Sequence, residues 1–237
     1  MSRKAFVALL IVVLLPVVGY LLVKRLSEDS ITMPIHYYPD TVINKIVNGK
    51  RVSDTIWHKV SNFELTNQLG SVVALSDLEG KIIVADFFFT RCPSICPTLT
   101  KNMKSLQDGL KKKDTRNPVD TSFVHFLSFS VDPERDSPVV LKKYADKYGI
   151  NPDVWWLLTG PKKIIYDIAL HELKLPAQDG ESIDSNFIHS QRFVLLDRNR
   201  IVRGYYNGLD TSALSKLAED LTLLMLERDK NKKRKLF

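Results

Sequence analysis

The chain has 237 residues, 44% of them hydrophobic and 9% aromatic, a composition that suits one globular domain with a sizeable core plus appendages. Its formal net charge of +7 comes without a nucleic-acid-binding motif or an aromatic-basic stripe, so nucleic acid is not an expected partner. Cys92 and Cys96 are the only cysteines, which speaks against a structural zinc site, since four ligands would be wanted.

From Ala5 to Val23 the chain runs 19 residues without a charge, between Arg3-Lys4 and Lys24-Arg25. That is long enough to cross the hydrocarbon core as one helix, with Pro16 and Gly19 tolerable inside it. No small-x-small cleavage motif follows, so residues 1–25 read as an uncleaved anchor rather than a signal peptide, and no cysteine follows to carry a lipid. Arg3, Lys4 and the terminal amine favour a cytoplasmic N-terminus, with Lys24 and Arg25 arguing against it. In that orientation everything from about residue 26 onward faces an oxidising compartment, where a cysteine pair needs an active reductant to stay reduced.

Residues 26–54 read as a linker followed by a β-hairpin folded about Asn48-Gly49. Strands are expected at Phe63–Gln68 and Val72–Leu75, then at Lys81–Phe89, whose nearly continuous apolar run suits a central strand covered on both faces. The cysteines follow directly. Leu99, Met103, Leu106 and Leu110, at spacings of four, three and four, predict an amphipathic helix over 98–110. Phe123–Val131 is a second buried strand, making a right-handed parallel crossover unit. Ser137-Pro138 opens a helix to about Tyr148; Trp155–Thr159 is a strand and 161–170 a helix. Arg192–Asp197 and Ile201–Tyr206 form a hairpin around Arg198-Asn199, and Thr211–Glu227 closes the domain as a helix. The whole is a layered α/β domain over 55–227. The basic run Arg228–Lys235 within 228–237, like Lys111-Lys112-Lys113, reads as a solvated charge block; attraction to anionic lipid headgroups is the functional alternative.

Two cysteines with three residues between them can close a disulfide, exchange it with a partner, or hold a soft ion such as copper(I). A mere staple is the bland alternative, and a weak one, because so short a loop restrains little of the unfolded chain. Pro97 fits a first helical turn, which puts Cys96 at the cap and Cys92 in the loop before it, where helix amides and dipole favour thiolate. Taken singly, His36, His58, His125, His171 and His189 would each read as structural or surface residues.

The strings ADFFFTRCPSICP, LSFSVDPERDSP, LTG and FIHSQRFVLLDRNR together resemble the Sco/SenC family of membrane-anchored, thioredoxin-like copper proteins. The resemblance implies a thioredoxin-like domain, a central mixed sheet flanked by helices, with one N-terminal transmembrane helix. It also implies copper ligands at Cys92, Cys96 and His189, binding Cu(I) or Cu(II). The implied role is support of the dinuclear copper A site of cytochrome c oxidase. The oxidase subunit carrying that site, a copper donor and a thiol reductant are then the partners, and the soluble domain lies on the extracytoplasmic side of the inner membrane. Asp86, six residues before Cys92, matches in place the buried acid of thioredoxins and is a candidate proton acceptor. Asp132, Glu134, Arg135 and Asp136 are expected to fix a turn and the next helix start. A thiol-disulfide oxidoreductase without copper delivery is the main rival, with a peroxidase and a tethered adaptor behind it.

Overall fold

The computed structural model describes residues 3–28, 32–47, 50–111, 123–175 and 190–234. It divides into two compact units, 1–33 and 34–237.

The first unit is helix α1, Arg3–Glu28, which runs through Pro16. Among the described residues no helix is long and apolar enough to cross a membrane, so the structure does not bear out the anchor expected over residues 1–25.

The second unit opens with a hairpin, β1 (Pro39–Val47) and β2 (Lys50–Trp57), paired antiparallel from Val47↔Lys50 outward. The expected turn, Asn48-Gly49, lies outside the described residues. Then come β3 (Glu64–Asn67), β4 (Val72–Ala74), β5 (Ile82–Phe88), α2 (Cys96–Lys111), β6 (Val124–Ser130), α3 (Pro138–Tyr148) and β7 (Trp155–Thr159). The chain closes with α4 (Lys162–Asp167), β8 (Arg192–Leu196), β9 (Val202–Asn207) and α5 (Thr211–Arg234). Two ends differ from expectation. The 161–170 helix breaks after Asp167 into one wide π turn, Ile168–Glu172. The last helix does not stop at Glu227 but carries the basic run on to Arg234.

Seven strands form one mixed sheet in the order β4-β3-β7-β6-β5-β8-β9. β5, β6 and β7 are parallel, as their crossover helices require, and the flanking strands pair antiparallel. Every residue of β5 and β6 is buried, which explains their unbroken apolar character. Alternation sorts them: Ile82, Val84 and Phe88 pack with Leu99, Met103, Leu141 and Leu221 on one face. Ile83, Ala85, Phe87, Leu127 and Phe129 pack with Ile165 and Ala169 on the other. Each fully buried side chain such as Leu99 stabilises the fold by about 1.5–3 kcal/mol in transfer free energy. Helix α2 is also pinned from its flank, where Asn102 Nδ2 donates to Gly208 O at 2.7 Å. Gly208 has to be glycine-sized, because a Cβ there would meet Leu99 Cδ2 at 2.5 Å and Phe193 Cζ at 2.9 Å.

Candidate functional site

Parallel strands deliver their loops to one edge of the sheet, and the cysteines sit on the loop leaving β5 at that edge. Cys92 N donates to Phe89 O at 3.2 Å, turning the chain back, and the amides of Thr98 and Leu99 both donate to Ile95 O at 3.0 Å. Ile95 is therefore the cap and Cys96 the first helical residue, one position further in than the sequence suggested; Pro97 follows in the first turn, where its missing amide costs nothing. The two residues are free thiols, 6% and 3% exposed.

Their environments differ. Burial pushes the Cys92 thiol up, but hydrogen bonds from the Cys96 side chain and from the amides of Cys96, Ser94 and Ile95 outweigh it, and the net is below the ordinary thiol range. The Cys96 amide reaches Cys92 Sγ at 3.4 Å. Cys96 is pushed up to about 12, first by burial and then by its hydrogen bond to Cys92. A helix start thus favours the thiolate form at Cys92, while Cys96 holds its proton.

Asp86 lies on the α2 face of β5, 2% exposed, with no cation bonded to it among the described residues. Burial raises its carboxyl to about 7, moderated by the hydroxyl of Ser128, which donates to Asp86 Oδ1. Trp155 Nε1 donates to Ser128 Oγ at 2.9 Å and fixes the hydroxyl in turn. Ser128 and Trp155 were missed in the sequence, although Ser128 and Ser130, alternating within an apolar strand, place hydroxyls on the face that Asp86 shares through the register Asp86↔Ser128.

The charged loop after β6 does more than make a turn. Asp136 is fully buried and accepts from Thr90 N at 3.0 Å, Thr90 Oγ1 at 2.5 Å and Ser130 Oγ at 2.6 Å. It ties the cysteine loop, two residues before Cys92, to the end of β6. Asp132 accepts from the amides of Arg135 and Asp136, closing the turn as expected.

The histidines divide. His36 stacks on Trp57 with ring centroids 5.1 Å apart, and His58 lies 3.4 Å from Glu172. His171 is exposed beside Asp167, and His125 is buried on the face of the sheet opposite Asp86, against the edge of Trp156. His189 lies outside the described residues. Among the described residues no group of three or more His, Cys, Asp or Glu side chains could hold a metal ion; the structure brings Cys92 and Cys96 together.

The SCO1/SenC family model matches residues 55–225. The chain is 36% identical over 174 residues to the SCO1 protein homolog of Bacillus subtilis strain 168, covering 73% of this chain and 86% of that protein. The solved structure of BsSco, described as having a disulfide switch and as a member of the Sco family of cytochrome c oxidase assembly proteins, is 34% identical. It covers 73% of this chain and 96% of its own, with a TM-score of 0.59. Bradyrhizobium japonicum ScoI, solved with copper bound, is 26% identical, with a TM-score of 0.54 over 70% of this chain and 99% of that one. The mixed sheet and its helices are the thioredoxin-like Sco fold that the resemblance implied. With the matched span running from β2 to α5 and enclosing both thiols and Asp86, the chain belongs to the SCO1/SenC family.

Proposed function

We propose that this protein is a membrane-tethered copper carrier. It takes copper on Cys92, Cys96 and His189 and passes it to, or readies the cysteines of, the copper A site of a cytochrome c oxidase. The observation that carries the reading is the thiol pair itself, with one sulfur biased to thiolate by helix amides and its partner hydrogen-bonded to it. The donor set fits the cargo, because thiolate is the ligand copper(I) favours and an imidazole is compatible with either oxidation state. Copper bound in ScoI and the part of BsSco's family in oxidase assembly support the assignment. The anchor is the uncharged run Ala5–Val23 within α1, with 55–227 as the carrier domain on the extracytoplasmic side. Stoichiometric binding of copper by the intact protein, lost in Cys92→Ser, Cys96→Ser and His189→Ala, is the expected result; undiminished binding in the two cysteine variants sinks the proposal.

The inequality of the two thiols favours a second role on the same atoms. The Cys92 thiolate attacks a disulfide in a protein partner, forming a mixed disulfide and releasing one partner thiolate, which takes up a proton. Cys96 then gives its proton to a base, for which Asp86 is the candidate, and attacks Cys92. The second partner sulfur leaves as thiolate and takes up a proton, and the two electrons that reduce the partner come from Cys92 and Cys96 as they are oxidised to a disulfide. Such reduction needs no imidazole. Oxidase assembly restored by His189→Ala without added copper would assign the protein to thiol reduction alone, whereas restoration only with added copper, or none, assigns it to carriage.

A further inference from the structure

The end of the sheet remote from the cysteines gathers three features that copper carriage does not use. The first is the entry of the chain: Arg203, 4% exposed, donates from Nη2 to Pro34 O at 2.6 Å and from Nε to Ile35 O at 3.3 Å, so the domain begins at this pole. Another is the ion pair of Arg203 with Asp197, 3.0 Å, which fixes the turn between β8 and β9 beneath Ile82, the first residue of β5. Last is the exit of α5. That helix starts at the cysteine edge, runs down the sheet through Asp220, bonded to Tyr206, and brings Glu227 to 3.6 Å from Arg203. Beyond Glu227 it continues to Arg234 with Arg228, Lys230, Lys232, Lys233 and Arg234 against the single acid Asp229. The family match ends at residue 225, so this extension lies outside it.

We infer that the basic extension of α5 is a membrane-surface contact, docking on anionic phospholipid headgroups and holding the thiols on the far side of the domain. The inference rests on the anchor reading of Ala5–Val23. Only residues 29–33 separate Glu28 from Pro34, a tether of at most about 20 Å when fully extended. The chain enters the domain at its Arg203 pole, so that pole is the part of the domain within shortest chain reach of residue 28. The helical extension adds about 10 Å of rise at the same pole, comparable to the distance over which salt leaves surface charge unscreened. Each Lys or Arg near an anionic leaflet strengthens association by about fivefold, enough for five of them to fix an orientation that the tether alone leaves free. From Ile82 to Phe88 the sheet spans about 20 Å, so the thiols are held well above the headgroups, open to a partner standing on the same membrane.

The test uses the full-length protein in nanodiscs, either pure phosphatidylcholine or phosphatidylcholine mixed with phosphatidylglycerol, with amide hydrogen exchange read over 228–234. Exchange about tenfold slower in the anionic discs, restored by high salt and by the triple substitution K230Q/K232Q/K233Q, is the expected result. Unchanged exchange in the β5 and β6 amides of the variant shows that it is folded. Equal exchange of 228–234 in both lipids overturns the inference while leaving the anchor intact. Protein that fails to enter discs but binds anionic vesicles reversibly with salt supports the contact and overturns the anchor.

Discussion

Asp86 and Asp197 are buried to similar degrees, 2% and 6% exposed, on strands that pair with each other or at their ends, yet they are held on opposite terms. Asp197 has the Arg203 guanidinium at 3.0 Å and accepts amides from Asn199 at 2.8 Å and Ile201 at 3.1 Å. Among the described residues Asp86 has one hydroxyl and no cation bonded to it, and its carboxyl rises to about 7. A carboxylate given a full complement of donors becomes architecture, here the joint that fastens Pro34 to the domain. One given too few is left able to gain and lose a proton near neutral pH, and its charge reaches Cys96, where it helps to hold that thiol protonated.

The comparison breaks most visibly at Arg203. Arg203→Leu removes the buried guanidinium that pairs Asp197 and frees the Pro34 carbonyl, and should cost about 3–5 kcal/mol, measured as a shift in the urea midpoint. Asp86→Asn, which keeps the shape and removes an ill-paired charge, should cost far less at pH 8 or stabilise. Equal losses in the two variants would show that the two acids are not held differently.

A finer test comes from pH. The unfolded chain loses the Asp86 proton near the ordinary carboxyl value of 3.8 and the native state only at about 7. Over that window the native state holds the extra proton, so this group makes stability fall as pH rises. His125 does the reverse: burial, then Lys81, lowers it to about 3 from 6.5, so the unfolded state binds the proton first and stability falls as pH drops from 6.5. Each slope is about 1.4 kcal/mol per pH unit and the two nearly cancel between about pH 4 and 6.5. Asp86→Asn should expose the His125 slope, and His125→Phe the Asp86 slope; parallel urea-midpoint profiles for wild type and both variants would refute the assignment.

Most of the fold was legible because its signals are local. The all-buried strands β5 and β6 announce themselves as apolar runs, and the Ser137-Pro138 start of α3 follows from backbone chemistry alone. The π turn after Asp167 was not legible: the residues 161–170 suit a helix, and what ends it is the Leu173 amide returning to Ile168 O at 2.8 Å, a choice made in the folded state. The basic run was seen as charge, but its continuation of α5 carries no periodic apolar signal, so helix propensity was the only cue. At the site, the thiol pair and Asp86 were visible as types and spacings. Their support was not, because Asp136 reaches Thr90 across 46 residues and Trp155 reaches Ser128 across 27, and neither partnership leaves a trace at short range.

The smallest effect expected is also the one closest to the chemistry. If helix amides and the Cys96 thiol set the acidity of Cys92, iodoacetamide at neutral pH should modify Cys92 first, giving one adduct by mass spectrometry while Cys96, held at about 12, stays unmodified. Cys96→Ala removes the side-chain donor but keeps the amides, so Cys92 should still react, several-fold more slowly at pH 7 and at the same rate well above its pKa. Cys96→Ser, whose hydroxyl restores a donor, should recover most of the neutral-pH rate. A uniform slowing at every pH would point instead to altered access, since acidity changes the thiolate fraction and leaves the reactivity of a fully formed thiolate nearly unchanged. That pH-resolved difference separates a sulfur tuned by its neighbour from one merely sheltered by it.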